Sequence, residues 1–229
     1  SPLAKMLGLA KKNPQGVLMI GAHEPSQLMA KALHKEGIEV MLVDTNRENL
    51  NQAQALGLKT FYASILSEYA LDEIDLANLG RVMALTSNDE VNSLTCINLS
   101  EAFGKAEVYQ LTPKLSGDNR KRLDLQHLQG RILFSDNLTY DHFVEFVEMG
   151  AYIETTLLPK DFDYSNFIEK IGDSRIPLFL IPREGEVSVL TKDNPIIPKA
   201  GQKLMSLVKK KEENPPIQVQ ESADKFINE

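Results

Sequence analysis

The sequence lacks paired cysteines, an excess of basic residues and any long apolar run, and each absence excludes a class of protein. Cys96 is the single cysteine among 229 residues, which excludes an intramolecular disulfide framework and is typical of a reducing compartment. The formal net charge of −7 provides no positive field for a nucleic acid or an anionic membrane surface. No stretch approaches the roughly 20 apolar residues that span a bilayer. We therefore expect a soluble, cytoplasmic chain that does not bind nucleic acid.

The motifs of common catalytic sites are missing as well. The four histidines have no metal-ligand spacing, and H-E-x-x-H, C-x-x-C and G-x-S-x-G do not occur. None of the six tyrosines is followed four residues later by lysine, the usual proton-donor pair of short-chain dehydrogenases. Asp141 and His142 are adjacent, so their side chains point apart on a helix. We expect no catalytic residue, no metal site and no enzymatic activity, with Cys96 in the core.

What the sequence does contain is a regular alternation of short apolar runs and helical patterns. This alternation predicts an α/β fold, a Rossmann-like doubly wound parallel sheet with helices on both faces. The predicted strands are residues 17–20, 40–43, 60–63, 82–85, 107–111 and 131–134, and the predicted helices are residues 25–36, 47–56, 68–74, 89–103 and 115–125. Gly37 and Gly57 suit helix ends, whereas Pro25 suits the first helical position and Asn46 an N-cap.

The pattern divides the chain into five parts. Residues 1–15 are a linker or lead helix, residues 16–136 the Rossmann-like domain, residues 137–150 a connector helix, residues 151–210 a small α+β module and residues 211–229 a disordered tail. The connector, YDHFVEFVEM, places Phe143, Phe146 and Val147 on one side. In the module, strands are predicted at residues 152–157, 177–181, 187–190 and 203–208, with a short helix at residues 166–171.

Residues 16–46, GVLMIGAHEPSQLMAKALHKEGIEVMLVDTN, have the layout of a dinucleotide-binding unit. The first strand ends at Gly21, a helix follows, and the second strand ends at Asp44, 23 positions after Gly21. In such a unit the helix N-terminus binds phosphates, and the acid binds ribose hydroxyls and disfavours a 2′-phosphate. The layout predicts NAD(H) or an adenine mononucleotide (AMP or ATP) rather than NADP. The alternative for Asp44 is a turn-forming role before Thr45 and Asn46.

The glycine signature of this unit is incomplete. The loop Gly21-Ala22-His23-Glu24-Pro25-Ser26 keeps only the first glycine of G-x-G-x-x-G. His23 stands where the backbone approaches the pyrophosphate, so its imidazole either donates to a phosphate or plugs the site. Glu24 competes electrostatically with a phosphate at the helix start. The alternative is a vestigial site without any nucleotide, in which Glu24 simply caps the helix.

Small and polar residues at the ends of the other strands complete the candidate site. Thr86 and Ser87 follow the fourth strand, and Asn92 lies one turn into the next helix, which Ser87 or Asn88 is suited to cap. Ala63 and Ser64 end the third strand, near the expected adenine ring. The candidate cofactor-binding residues are Gly21, Ala22, His23, Asp44, Thr45, Asn46, Ala63, Ser64, Thr86, Ser87 and Asn92.

The motifs GVLMIGA, VMLVDTN and ALTSNDEVNSLTC, followed by a connector and a small module, resemble the KTN/RCK (Trk-type N-terminal) regulatory domains of potassium channels and transporters. The phrases PLAKMLGL, NPQGVLMIGAH and VDTN are similar to the cytoplasmic C-terminal region of bacterial NhaP-like sodium/proton antiporters, in the cation:proton antiporter-1 group. The phrases PLFLIPREGEV and PKAGQKLMSLV resemble the small second domain of such regulators.

This resemblance implies a non-enzymatic, nucleotide-sensing domain that controls the exchange of Na⁺ or K⁺ for H⁺. It implies a homodimer tethered to an N-terminal transmembrane antiporter domain, at the cytoplasmic face of the bacterial inner membrane. It assigns Gly21, Ala22 and His23 to the phosphate turn, Asp44 to the ribose and Thr86 to the crevice, although typical members keep two or three glycines. Two alternatives stay open: a stand-alone NAD-dependent oxidoreductase and a nucleotide-free oligomerisation module.

Overall fold

The computed structural model describes residues 14–67, 70–114, 130–135, 138–163, 174–191, 193 and 196–210. Four predicted segments lie outside these residues: the lead up to residue 13, the helices at residues 115–125 and 166–171, and the tail at residues 211–229.

The N-terminal part forms a six-stranded parallel sheet. Its strands are β1 (Gly16–Ile20), β2 (Val40–Asp44), β3 (Lys59–Tyr62), β4 (Leu79–Ala84), β5 (Val108–Gln110) and β6 (Arg131–Ile132). They lie in the order β3-β2-β1-β4-β5-β6. The helices are α1 (Glu24–Lys35), α2 (Arg47–Ala55), α3 (Ala70–Glu73) and α4 (Asp89–Phe103). The predicted α/β, Rossmann-like doubly wound sheet is confirmed.

The central strand β1 explains why this sheet is apolar on both faces. All five of its residues are buried. Val17 and Met19 pack in one core cluster together with Leu33 of α1, whereas Leu18 and Ile20 pack in a second cluster that includes residues of α4. Because successive side chains of a strand point to opposite faces, a strand covered on both faces reads as a continuous apolar run.

In the larger sheet, two strand boundaries differ from the prediction by more than one residue. Strand β4 begins at Leu79 rather than at residue 82, because the buried Arg81 is accommodated by Glu107, whose Oε2 lies 3.1 Å from its Nε. Strand β6 ends at Ile132 rather than at residue 134. Leu133 forms a single bridge to Thr191, and Phe134 takes a left-handed backbone with φ of 64°.

Helix ends follow the predicted chemistry with one correction. The Asn46 side chain caps α2 by accepting from the N–H of Glu48, and Gly37 and Gly57 have φ of 76° and 77° after α1 and α2. The Asn88 side chain likewise caps α4. Pro25 is the second helical residue rather than the first, because α1 begins at Glu24. Of the helix predicted at residues 68–74, the described part is α3.

A connector helix and a four-stranded antiparallel sheet complete the fold. The connector is α5 (Tyr140–Glu148), and the strands are β7 (Tyr152–Leu157), β8 (Arg175–Ile181), β9 (Ser188–Val189) and β10 (Lys203–Val208), in the order β7-β10-β8-β9. The strand predicted at residues 187–190 is thus shorter, and the one predicted from residue 177 begins earlier, at Arg175. The described part of the predicted α+β module is therefore a separate antiparallel sheet.

The two sheets share one hydrophobic core. Phe143 of α5 is fully buried in the same cluster as Met29 of α1 and Phe179 of β8. The rings of Phe134 and Phe179 meet edge to face, with centroids 5.4 Å apart. An ion pair of 2.6 Å joins Lys203 of β10 to Glu36 at the end of α1. The connector therefore packs between the two sheets as part of their common core.

The chain approaches β1 through a tightly held segment. The Gln15 carbonyl accepts a hydrogen bond of 3.3 Å from Arg81, and its side-chain Oε1 accepts one of 3.1 Å from the Val187 amide. A Cβ added at Gly80 would lie 1.9 Å from the Pro14 carbonyl oxygen, so the two backbones run in direct contact. None of the described helices has the length and apolar character needed to cross a membrane.

Candidate nucleotide site at the switch point of the sheet

The candidate site lies where the strand order reverses. Strand β1 leads to β2 on one side, whereas β4 leads to β5 on the other, so the loops after β1 and β4 leave a crevice between them. Open α/β sheets bind ligands at this point. The loop after β1 starts with Gly21, whose N–H donates to the Val43 carbonyl, and the Leu85 N–H donates to the Ile20 carbonyl, both at 2.8 Å.

Gly21 makes close approach of these loops possible. Its φ is 102°, and a Cβ at this position would lie 3.2 Å from both the carbonyl carbon and the oxygen of Leu85. A positive φ is unfavourable for residues that carry a Cβ. The one glycine retained from the fingerprint is therefore required both by backbone conformation and by contact with the loop after β4.

Asp44 ends β2 and holds the loop after β1 in place. Its Oδ2 accepts a hydrogen bond of 2.7 Å from the Ala22 N–H and one of 3.2 Å from the Asn49 side chain, and its Oδ1 accepts one of 2.8 Å from the Asn46 N–H. The bond from the Asn46 N–H is the turn-forming contact that the sequence suggested as the alternative role of Asp44. A carboxylate has about four acceptor positions, so these three bonds leave room for a ribose hydroxyl.

Gln27 is a site residue that the sequence reasoning missed. Its side chain is buried, and its Nε2 donates to the carbonyls of Ala22, at 2.7 Å, and Asn49, at 3.2 Å. Ala22 thus gives its N–H to Asp44 and receives a bond from Gln27. The sequence signal that could have revealed it is a polar residue, Gln27, on the buried face of α1. The shape of the loop is fixed by side chains of the protein itself.

His23 is held by three elements of the fold. Its Nε2 lies 2.5 Å from the Leu85 carbonyl, which can only accept, so Nε2 carries the proton, and the Ser26 hydroxyl lies 3.1 Å from the same atom. The ring meets Tyr140 of α5 edge to face, with centroids 4.8 Å apart. The other ring nitrogen, Nδ1, is buried and has no hydrogen-bond partner within the described part of the chain.

Burial lowers the pKa of His23 below its ordinary value, although the Leu85 carbonyl and Asp44 act in the opposite direction. The desolvation of a charged imidazole outweighs these two favourable contacts. His23 is therefore a neutral residue in the folded protein, and its unprotonated Nδ1 is a hydrogen-bond acceptor.

This lowered pKa predicts a loss of stability in mild acid. His23 in the unfolded chain takes up a proton near pH 6.5, while His23 in the folded protein stays neutral. The free energy of unfolding is therefore highest above that pH and decreases as the pH falls below it. The slope cannot exceed about 1.4 kcal/mol per pH unit for one group. Urea unfolding at about pH 7.5 and pH 5.5 should show a smaller decrease for His23→Gln than for the wild type, and equal decreases would contradict the assignment.

The polar groups after β4 form hydrogen bonds with one another. The Asn92 side chain accepts from the N–H and hydroxyl of Thr86, at 2.9 and 2.7 Å, and donates to the Thr86 carbonyl. Asn92 is 1% exposed. Ser87 is exposed at the tip of the loop, and Asn88 rather than Ser87 provides the cap. Thr86 and Asn92 therefore shape the crevice wall, and Ser87 is the more accessible polar group.

The remaining candidates lie beside Asp44. The Ala63 N–H donates to the Asp44 carbonyl at 3.2 Å, which places Ala63 and the exposed Ser64 next to the end of β2. Thr45 and Asn46 are exposed at the same turn. The structure thus brings every sequence-predicted site residue to one edge of the sheet. Gly21, Ala22 and His23 form the loop after β1, and the other candidates lie in two groups on either side of it.

The other side chains that the sequence offered as candidate catalytic groups make structural contacts. The Cys96 thiol is buried, and burial raises its pKa to about 12, in agreement with the predicted core position. Asp141 forms an ion pair of 2.8 Å with Lys114, whereas the His142 ring stacks on Phe146, so the two neighbours do point apart. No group of three potential metal ligands occurs within the described ranges.

Comparisons with known proteins find a similarity in the region of the larger sheet. Residues 17–113 match the model of the TrkA-N domain. No curated protein matches the chain significantly. A solved NAD(P)-binding domain of an exopolyphosphatase-related protein from Archaeoglobus fulgidus is 16% identical, with a TM-score of 0.44 over 58% of this chain and 95% of that one.

Two further similar structures include the region of the second sheet. The GsuK RCK domain is 12% identical, with a TM-score of 0.43 over 90% of this chain and 46% of that one. The GsuK channel bound to NAD is 11% identical, with a TM-score of 0.43 over 87% and 38% of the two chains. This chain therefore spans less than half the length of the GsuK chains it matches. Residues 17–113, which cover most of β1, all of β2 to β5 and the crevice, have a Rossmann-like fold and match the TrkA-N domain model.

Proposed function

We propose that this chain is a regulatory domain, without catalytic activity of its own, that binds an adenine nucleotide and controls a membrane antiporter. The exchanged ions are Na⁺ or K⁺ for H⁺, and the domain works as a homodimer. It is tethered to an N-terminal transmembrane antiporter domain, at the cytoplasmic face of the bacterial inner membrane. The TrkA-N match and the antiporter-like phrases PLAKMLGL and NPQGVLMIGAH support this proposal.

The carboxylate of Asp44 is the observation that carries the nucleotide part of the proposal. It lies at the end of β2, is half-buried and retains an acceptor position beside a preformed loop. An acid at this position suits the two ribose hydroxyls of adenosine, and its charge opposes a 2′-phosphate. NAD(H), AMP and ATP are therefore the ligands to test, with NADP as the discriminated analogue.

The environment of the titratable groups supports a sensor rather than an enzyme. A general acid or base must exchange protons near the operating pH. His23 is neutral and donates its proton to a backbone carbonyl, the Cys96 thiol is buried, and Asp141 is paired with Lys114. Each of these groups is engaged in a contact within the folded chain.

We predict that Asp44→Asn weakens AMP binding by about tenfold or more, because the amide has one acceptor oxygen and no charge for the ribose hydroxyls. Asparagine keeps one oxygen for the Ala22 N–H, but its NH₂ group cannot accept the bond that Oδ1 receives from the Asn46 N–H, so urea unfolding of the variant accompanies the titration. Calorimetric titration of the 229-residue chain with AMP, NAD and NADP measures the effect. Asp72→Asn, which removes an exposed charge on α3, is the matched control. Wild-type affinity in Asp44→Asn would contradict the assignment of Asp44.

The transport role is tested on the full-length protein in membrane vesicles. Nucleotide addition is expected to change the rate of Na⁺- or K⁺-driven proton movement, and Asp44→Asn is expected to remove that response while leaving basal exchange intact. Sedimentation of the domain at micromolar concentration tests for the dimer. A response that persists in Asp44→Asn would locate the nucleotide elsewhere.

A further inference from the structure

Building on the proposed function, we propose that His23 restricts this site to adenine mononucleotides, because its side chain closes the passage that a dinucleotide must cross. This assigns a specificity-determining role to the residue that replaces the second glycine of the fingerprint. The inference depends on the strand order, on the contacts of the His23 ring and on the number of amides left for phosphate.

The strand order defines the passage. Strand β2, with Asp44, lies on one side of β1, and β4 lies on the other. A nucleotide whose ribose binds Asp44 has its adenosine on the β2 side. The second half of a dinucleotide must reach the β4 side, so it crosses between the loop after β1 and the loop after β4.

The His23 ring bridges these two loops. The hydrogen bond from its Nε2 to the Leu85 carbonyl, at 2.5 Å, runs directly from one loop to the other. Beneath it, the Gly21 Cα is so close to Leu85 that a Cβ would lie 3.2 Å from the Leu85 backbone. Tyr140 packs against the edge of the same ring. A glycine at position 23 would make none of the side-chain contacts.

The phosphate-binding amides are also few. The Ala22 N–H is bound to Asp44, Pro25 has no N–H, and the Gln27 N–H donates within the helix to the His23 carbonyl. In the first turn of α1 this leaves the amides of Glu24 and Ser26, which have no intrahelical partner. Together with the His23 N–H just ahead of the helix, these make three amides, which suit the terminal oxygens of one phosphate group better than the two phosphates of a pyrophosphate.

The groups beside these amides disfavour phosphate in general. Glu24 places a carboxylate at the first helical position, where it repels phosphate oxygens. The unprotonated Nδ1 of His23 is an acceptor and cannot donate to a phosphate. An AMP phosphate and an NAD pyrophosphate each carry about two negative charges near neutral pH, so these groups oppose both ligands and the discrimination rests on the position of the ring.

The two ligand classes therefore have different consequences for the fold. A mononucleotide on the β2 side leaves the bond from His23 to Leu85 and the contact with Tyr140 intact. A dinucleotide must break both, and Tyr140 is the first residue of the connector α5. Binding of the larger ligand would be opposed by the loss of these contacts.

The test compares AMP and NAD on the wild type, His23→Gly, His23→Ala and His23→Gln by calorimetric titration. We expect the wild type to bind AMP more tightly than NAD. His23→Gly and His23→Ala should bind NAD about tenfold more tightly than the wild type, since no ring has to be displaced, with AMP affinity changed by less than about twofold. His23→Gln keeps a donor that reaches the Leu85 carbonyl, so we expect it to behave as the wild type.

The outcomes separate this inference from the proposed function. Wild-type protein that binds NAD as tightly as AMP overturns the role of His23 and leaves the sensor intact, as does a failure of both His23→Gly and His23→Ala to gain NAD affinity. Wild-type protein that binds neither ligand overturns the nucleotide sensor itself, and the inference with it. The wild-type preference needs no variant, so a misfolded variant does not obscure the result.

Discussion

Phe143→Ala is expected to lower the free energy of unfolding by about 3–5 kcal/mol, the usual cost of truncating a fully buried aromatic side chain. Phe143 belongs to the connector α5 and is 0% exposed. It contacts the core that both sheets share, so its removal leaves a cavity whose walls belong to different parts of the chain. Such a cavity collapses poorly, because α1, β8 and α5 cannot all move toward it.

Urea unfolding followed by circular dichroism measures this loss, with Met149→Ala as the control. Met149 directly follows the same helix and is 50% exposed, so its truncation should change stability by about 0.5 kcal/mol or less. A loss below about 1 kcal/mol for Phe143→Ala would mean that the connector does not pack between the sheets as described.

Gly21→Ala is expected to destabilise the protein by about 2–4 kcal/mol, because backbone strain and crowding add together. The φ of 102° is unfavourable for alanine, and the new Cβ would lie 3.2 Å from the Leu85 carbonyl group and 3.3 Å from the Thr86 nitrogen. These neighbours are backbone atoms of the loop after β4, so they cannot turn away as a flexible side chain can.

Gly57→Ala separates the two causes. Gly57 has a φ of 77°, but no atom lies within 4 Å of its ideal Cβ position, so alanine there meets only the backbone strain, about 1 kcal/mol. Chemical denaturation of both variants gives the difference. Equal losses at the two positions would show that the loops after β1 and β4 do not approach as closely as described.

The sequence was most informative where one local cause determines an element. Helix α4 was predicted with its observed bounds, because Asn88 supplies the cap and Gly104 ends the helix. The early start of β4 was missed, because a charged residue such as Arg81 is more typical of the loop before a buried strand than of the strand itself. Glu107 and Gln15, which are distant in sequence, make its burial acceptable.

For the site, the sequence indicated where the residues lie but not which side chains contact one another. The rule that parallel strands end at one edge was enough to collect Gly21, Asp44 and Thr86. It did not reveal that Asp44 binds the Ala22 amide or that Tyr140 packs on His23, because these contacts depend on side-chain geometry and on a helix more than a hundred residues downstream. The choice between a donating and a plugging His23 likewise needed the Leu85 carbonyl.

The tightly held segment before β1 has a mechanical consequence. Strand β1 is hydrogen-bonded on both sides, to β2 and β4, and Gln15 is tied to Arg81 and to the Val187 amide. A pull on the chain ahead of Pro14 would load the bonds on both sides of β1 together, along the strand axis. The load would spread over the whole row of hydrogen bonds, so this end of the sheet would resist tension as a stiff body.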